Sequence, residues 1–245
     1  MLPICQVELD DRLMIMLEND ALTNMVAKNK EYEPHFRTIV NAFLNIGDRV
    51  IDAGANCGFH TITMSKLVGD IGKVYSFEPL RIIYQQLNCN VFINGLSNVT
   101  TYNCAIGNEN KIISITPPNY QLPGNIGNTW VNLNSTGDSI NMVKLDGFIT
   151  EKIKFIKLDI QGCELFALNG MLDIIKTHNP ILFVEMEDCH LTRYNTTTTE
   201  LTKFIKNQLN YDVYQIINEY PCDHLCVPKN INISDKKLSI NLRQV

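Results

Sequence analysis

Between residues 49 and 217, short runs rich in Ile, Val and Phe alternate with longer stretches of helical apolar spacing. RVIDAG (49–54), KVYSFEP (73–79), VTTYNCAIG (99–107), IKFIKLDI (153–160) and PILFVEME (180–187) read as strands. FHTITMSKLVG (59–69), LRIIYQQLNCNVFIN (80–94), CELFALNGMLDIIKTH (163–178) and TTTELTKFIKNQL (197–209) read as helices, the last capped by Thr199 or a neighbouring Thr. Strands with so little polar alternation are those that helices cover on both faces. The pattern predicts an α/β protein with a Rossmann-like, doubly wound, mostly parallel sheet. YDVYQII (211–217) and HLCVP (224–228) would close it as an antiparallel hairpin.

Two regions break the rhythm. Residues 1–46 are expected to form an extension, with VELDDRLMIML as a hairpin and EPHFRTIVNAFL as a helix, ahead of one domain at 47–245. Residues 111–146 are the second break. Within them PPNYQLPGNIGNTWVNLNSTGDS (117–139) is too polar and too rich in Gly and Pro for a core, and it holds the single tryptophan, Trp130. A long loop of this kind in a compact fold is expected to bind something.

In an open parallel sheet, ligands sit beyond the carboxyl ends of the strands. Polar residues collect at those ends: Asp52, Glu78, Asn103, Asp159, and Glu185 with Glu187. VIDAGANCGFHT (50–61) adds Gly54 and Gly58, a turn that lets backbone approach a ligand ahead of a helix N-terminus. An acid inside that turn would repel a pyrophosphate but suits a cationic amino-acid ligand. Glu78 can accept from both hydroxyls of a ribose. Together they fit S-adenosylmethionine better than a nicotinamide dinucleotide. The plainer readings are a helix cap for Asp52 and a solvated strand end for Glu78.

The formal charge of −5 argues weakly against a nucleic-acid binder. The N-terminus, MLPICQVELDDRL, carries no secretory pattern, and no stretch is apolar for the length of a membrane helix. A cytoplasmic protein without membrane contact is expected, and a homodimer is compatible with this reading. The eight cysteines are scattered, mostly in apolar runs, and read as small buried hydrophobes. CDHLC (222–226) has loose metal-like spacing but too few nearby ligands for zinc.

With these motifs in view, the chain resembles the FkbM family of S-adenosylmethionine-dependent methyltransferases. The matching segments are VIDAGANCGFHT, YSFEP, NCAIG (103–107), LDGFI (145–149), IKFIKLDIQGCELFALNG (153–170) and PILFVEME, in that order over residues 47–187. The resemblance implies the class I methyltransferase form of the sheet and O-methylation of a sugar or polyketide-derived hydroxyl. It places Asp52, Gly54, Asn56 and Gly58 around the cofactor's amino-acid end, Glu78 at the ribose, and Asn103, Cys104 and Ala105 beside the adenine. Asp159, Gly162 and Glu164 match the family's second hallmark, where Gln161 replaces the usual Glu.

Methylating a hydroxyl requires alignment and a proton acceptor. Asp159, at a strand tip and also counted among the cofactor contacts, is the first candidate, Glu185 the second and His60 the third. Asp159, Glu185, Glu187 and Asp188 hold enough oxygens for Mg2+, although no residue is assigned to a metal and unassisted transfer is preferred. Pairing of these acids with Lys157 or Arg193 is the plainer reading. The expected acceptor is a small or glycan-linked sugar held by the 117–139 loop. A protein or nucleic-acid methyltransferase and a non-catalytic partner subunit are the alternatives.

Overall fold

The alternation resolves into one large sheet, one small sheet and an N-terminal hairpin. The computed structural model describes residues 1–130, 137–217, 222–236 and 238–245, so part of the expected binding loop (131–136) lies outside the described residues. In chain order, β1 (Ile4–Leu9) and β2 (Arg12–Leu17) precede α1 (Ala21–Asn29) and α2 (Pro34–Phe43). Next come β3 (Arg49–Ala53), α3 (Phe59–Val68), β4 (Lys73–Phe77), α4 (Arg81–Ile93) and β5 (Val99–Tyr102). The strands β6 (Cys104–Ile106), β7 (Lys111–Ile115) and β8 (Asp138–Val143) form the small sheet. The chain then runs through β9 (Phe155–Leu158), α5 (Glu164–Asn169), α6 (Leu172–His178), β10 (Ile181–Glu185), α7 (Asp188–Leu191) and α8 (Thr198–Gln208). It closes with β11 (Tyr211–Ile216), β12 (Asp223–Pro228) and β13 (Leu242–Gln244).

The large sheet has the order β13-β11-β12-β10-β9-β3-β4-β5. From β10 to β5 all neighbours are parallel, and β12 runs antiparallel to both β10 and β11. Strand order reverses between β3 and β9, the switch point where a ligand crevice opens in such sheets. Both faces are apolar. Val50, Phe155, Ile181 and Phe183 pack on α2 and α3. Ile51, Ile156, Leu182 and Val184 meet α5, α6 and α8. Burying both faces removes the polar alternation from these strands.

Tertiary contacts redraw three sequence boundaries. The expected third strand splits at Asn103, whose side-chain amide donates to the carbonyls of Glu78 and Pro79 at 2.9 and 3.0 Å. Beyond it β6 joins β8 in the small sheet. Residues 111–115 and 138–143 are strands, not loop, and pair antiparallel beneath the polar segment. The helix expected over 163–178 breaks before Met171, because Gly170 is pressed against Gly107: a Cβ there would lie 1.8 Å from the Gly107 carbonyl oxygen. The α8 cap is, as expected, one of the neighbouring threonines, Thr197, in a reciprocal box with Glu200.

The N-terminal hairpin lies against α4. Asn94 pairs with both backbone groups of Leu13, and Asn90 with both of Ile15. Two asparagines one helical turn apart thus satisfy an otherwise open strand edge. No helix among the described residues is long and apolar enough to cross a membrane.

Candidate active site

A cavity of about 360 Å3 opens at the carboxyl ends of the central strands. That lies within the usual range for small-molecule sites. Gly54 and Asn56 reach it from the turn after β3, Glu78 from the end of β4, and Cys104 and Ala105 from β6. Asp159, Gln161, Glu185 and His190 form the opposite wall.

The β3 turn is held by backbone geometry. Gly54 has φ +78°, and a Cβ on it would lie 1.8 Å from the carbonyl oxygen of Asp159. The glycine is therefore required by the neighbouring strand as well as by any ligand. Asn56 sits in the left-handed region at φ +48°, and its N–H donates to Glu78 Oε2 at 2.9 Å. Leu80 N–H donates to the other oxygen, Oε1, at 2.9 Å. Burial pushes the Glu78 carboxyl up to about 7 even though these two N–H groups favour its charge.

Four of the expected site residues do not line the cavity. Asp52 is fully buried beneath the turn, accepts from Thr61 Oγ1 at 2.6 Å, and faces Lys157 Nζ at 3.7 Å. The cation beside this acid is the chain's own lysine. Gly58 turns against Leu87, whose Cδ1 would be 2.7 Å from an added Cβ. Asn103 braces the loop after β4 through the two bonds given above. His60, the third base candidate, is buried and bonds Glu33 Oε2 at 2.8 Å. Burial alone would raise Glu33, but the hydrogen bond and charge of His60 hold it at about 2. This pair ties the N-terminal extension to α3 and stands outside the cavity wall.

Lys157 does not itself line the cavity but bonds two residues that do. It is almost fully buried and donates to Asp159 Oδ2 at 3.1 Å and to the Gly54 carbonyl at 3.2 Å. Burial opposes its charge, but Asp159, Asp52 and Glu33 outweigh that and hold it above the usual lysine range. On the wall, Gln161 Nε2 donates to Asp159 Oδ1 at 3.0 Å and to Glu185 Oε2 at 2.9 Å, bridging two carboxylates. Burial, then the charge of Asp159, pushes Glu185 well above the ordinary carboxylate range. Glu164 lies outside the wall and braces its turn, accepting from the N–H groups of Ile160 and Gly162, each at 3.1 Å. Burial pushes it up to about 7.

Residues without an individual signal in the sequence complete the enclosure, together with part of the 117–139 loop expected to bind. His190 lies on the cavity wall, and burial lowers its ring below the ordinary histidine value. Leu22 and Tyr32 close one side from the N-terminal extension. Asn125, Ile126 and Thr129 close another, and Gly127 packs so tightly on Asn56 that a Cβ would lie 2.9 Å from its Nδ2. Asp20 ties these two segments together by accepting from Ile126 N–H at 3.2 Å. The pairing of Asp159 with Lys157, the plainer reading of the sequence, is present at 3.1 Å, between residues two apart on the same face.

A parallel sheet with this strand order, a glycine turn at the switch point and a carboxylate after the next strand defines the S-adenosylmethionine-dependent methyltransferase class. The Methyltransferase FkbM domain matches residues 52–213. The chain therefore belongs to the FkbM methyltransferase family. Among solved structures it is similar to the methyltransferase FkbM from Methylobacillus flagellatus KT, with 17% identity and a TM-score of 0.52, over 86% of this chain and 62% of that one. It is also similar to cofactor-bound Rv0187 from MTB, with 10% identity and a TM-score of 0.51, over 80% of each chain. A shorter likeness, 30% identity over 69 residues, links it to the protein-L-isoaspartate O-methyltransferase of Fervidobacterium nodosum, covering 27% of this chain and 35% of that protein.

The residues present fit S-adenosylmethionine. Glu78 presents a carboxylate to the cavity for a ribose diol, and Cys104, Ala105 and Ile83 give an apolar ledge suited to a purine. Asp159 lies on the remaining wall, a carboxylate facing the space for a ligand that bears a sulfonium and an ammonium.

Proposed function

We propose that this protein is an O-methyltransferase that uses S-adenosylmethionine to methylate a hydroxyl of a small or glycan-linked sugar. The observation that carries this reading is a wall of carboxyl groups, Asp159, Glu185 and Glu187, on the same cavity as Glu78. Such a wall favours a neutral acceptor and disfavours phosphate or carboxylate. It thereby weighs against a nucleic acid, and against the isoaspartyl carboxylate implied by the name of the Fervidobacterium relative.

When bound, the cofactor supplies an electrophilic methyl group. Glu78 accepts from the ribose hydroxyls, and Cys104 and Ala105 border the adenine. The Gly54–Asn56 turn faces the amino-acid end. Asp159, its two oxygens positioned by Lys157 and Gln161, takes the proton of the acceptor hydroxyl. Gln161 has no proton-accepting role; its amide keeps the two carboxylates together. The segment 117–130 supplies acceptor contacts, with Trp130 beside cavity-lining Thr129 and the Arg193 guanidinium 5.2 Å from its ring centroid. An aromatic face among short amides suits a polyhydroxylated ring.

Labelled S-adenosylmethionine offered with sugars, nucleotide sugars, peptides and nucleic acids tests the reading, with mass spectrometry locating the methyl group. Transfer to peptide or nucleic acid alone would overturn the acceptor assignment. Asp159→Asn should keep the fold and most of the cofactor affinity while turnover falls by about 100-fold or more, the scale of a lost acid–base group. Near-normal turnover at saturating acceptor would move the role to Glu185.

Cofactor affinity should also depend on pH through Glu78. Ribose hydroxyls donate to the ionised carboxylate, and its position at about 7 leaves it mostly protonated at pH 6 and mostly ionised at pH 8. Affinity for S-adenosylhomocysteine should therefore rise about tenfold from pH 6 to pH 8. Glu78→Gln should be weaker and flat over that interval. A parental profile already flat would remove Glu78 from the ribose role.

A further inference from the structure

The turn from β10 into α7 holds more ligating chemistry than acceptor orientation needs. Glu187, Cys189 and His190 bring a carboxylate oxygen, a sulfur and a ring nitrogen within 4.8 Å of one another. Glu185 adds a second carboxylate, one oxygen of which also accepts from Gln161 Nε2 at 2.9 Å. Its Oε2 and Oε2 of Glu187 each lie 3.7 Å from His190 Nδ1. That is too long for a hydrogen bond. It is close to the separation of atoms that share one cation at about 2.0–2.2 Å in an open arrangement.

His190 supplies the independent observation. Its side chain is 8% exposed, and Nδ1 is buried without a hydrogen-bond partner among the described residues. A buried polar atom left in this way needs an explanation, and an ion is one of the few available. Nδ1 has an oxygen of each of two carboxyl groups at 3.7 Å, a spacing one shared ion would bridge. The nearby cations are engaged elsewhere: Lys157 with Asp52 and Asp159, and Arg193 over Trp130.

The other two ligand-rich groups fare worse. In the group of Glu33, His35 and Asp223, His35 already bonds Asp223 at 2.7 Å and Glu33 already bonds His60 at 2.8 Å. In the group of Glu185, Cys222 and Asp223 there is no nitrogen ligand.

We propose that Glu187, Cys189 and His190, with Glu185 as a fourth ligand beside His190, hold a divalent transition-metal ion in the wall of the cavity. Imidazole and thiol among carboxylates favour zinc, then manganese, over magnesium, whose ligands are oxygens. All four residues line the cavity, so the ion faces the space assigned to the acceptor. If the methyltransferase reading holds, the ion there would acidify a bound hydroxyl. The metal site itself is defined without reference to the acceptor.

Calorimetric titration of the chelator-treated full chain with ZnCl2, MnCl2 and MgCl2 tests it. One saturable equivalent of zinc is expected, with manganese weaker and magnesium weakest. His190→Ala should lower zinc affinity at least tenfold, Cys189→Ser should narrow the preference for zinc over manganese, and Cys222→Ser should change neither. X-ray absorption of the zinc-loaded parent should show a mixed shell of nitrogen, oxygen and sulfur, a readout that does not depend on any variant folding. No saturable zinc or manganese binding, binding that survives His190→Ala, or a shell without nitrogen would each overturn the site. S-adenosylhomocysteine binding, measured on the chelated protein, reports on the methyltransferase reading separately, so either can fail alone.

Discussion

Exchanging Lys157 for methionine should lower the stability of the protein by about 3–5 kcal/mol, the usual loss when one partner of a buried ion pair is removed. The lysine is 2% exposed and Asp52 fully buried, so Lys157→Met leaves an uncompensated carboxylate in the centre of the sheet. The two residues are register partners on β3 and β9, which gives the acid no route to water. Urea unfolding of parent and variant measures the loss. Adding Asp52→Asn to Lys157→Met should recover a large part of it, because the stranded charge goes with it. A loss below about 1 kcal/mol, the ordinary size for a point mutation, would mean that Lys157 does not compensate the Asp52 charge. Cofactor affinity should fall as well, since Lys157 Nζ also holds the Gly54 carbonyl.

Gly54→Ala should be at least as damaging and should remove cofactor binding. Its φ of +78° is unfavourable for any L-residue, and the added methyl would meet the Asp159 carbonyl at 1.8 Å. No rotamer change relieves contact with backbone, so β3 and β9 must part. Left-handed strain and overpacking together predict a loss of about 3–5 kcal/mol. Gly58→Ala is the informative contrast. Its φ is +90°, yet the obstacle is Leu87 Cδ1 at 2.7 Å, the end of a flexible side chain. At Gly95, with φ +67°, nothing lies within 4 Å, so only the backbone term applies. Thermal unfolding of the three alanine variants should rank Gly54→Ala worst, then Gly58→Ala, then Gly95→Ala. Equal losses at Gly54 and Gly95 would show that the strand contact does not set the requirement.

The glycine turn illustrates how far a sequence reading reaches. Gly54 and Gly58 are legible as a turn because the φ requirement is local. Which atoms enforce it is not legible, since Asp159 is far along the chain. The same divide separates Glu78 from Asp52. Both are acids at strand ends, but Glu78 opens onto the cavity while Asp52 meets a lysine from the adjacent strand. His190 gave no signal, because a single histidine after a strand gains meaning only when the turn brings Glu185 and Glu187 to its ring.

Local chemistry carried the strands and helices of the large sheet between residues 49 and 228, the doubly wound class, a hairpin within residues 7–17 and the motif that places the family. Apolar periodicity and turn residues act over a few positions, and nothing distant had to be known. Tertiary structure decided what depends on partners. It moved residues 104–106 into a second sheet, broke the helix at Gly170 against Gly107, and took Asp52 and His60 out of the cavity wall by giving them Lys157 and Glu33. A buried charge goes where its counter-charge is, and that position is set by strand register and packing across the whole chain.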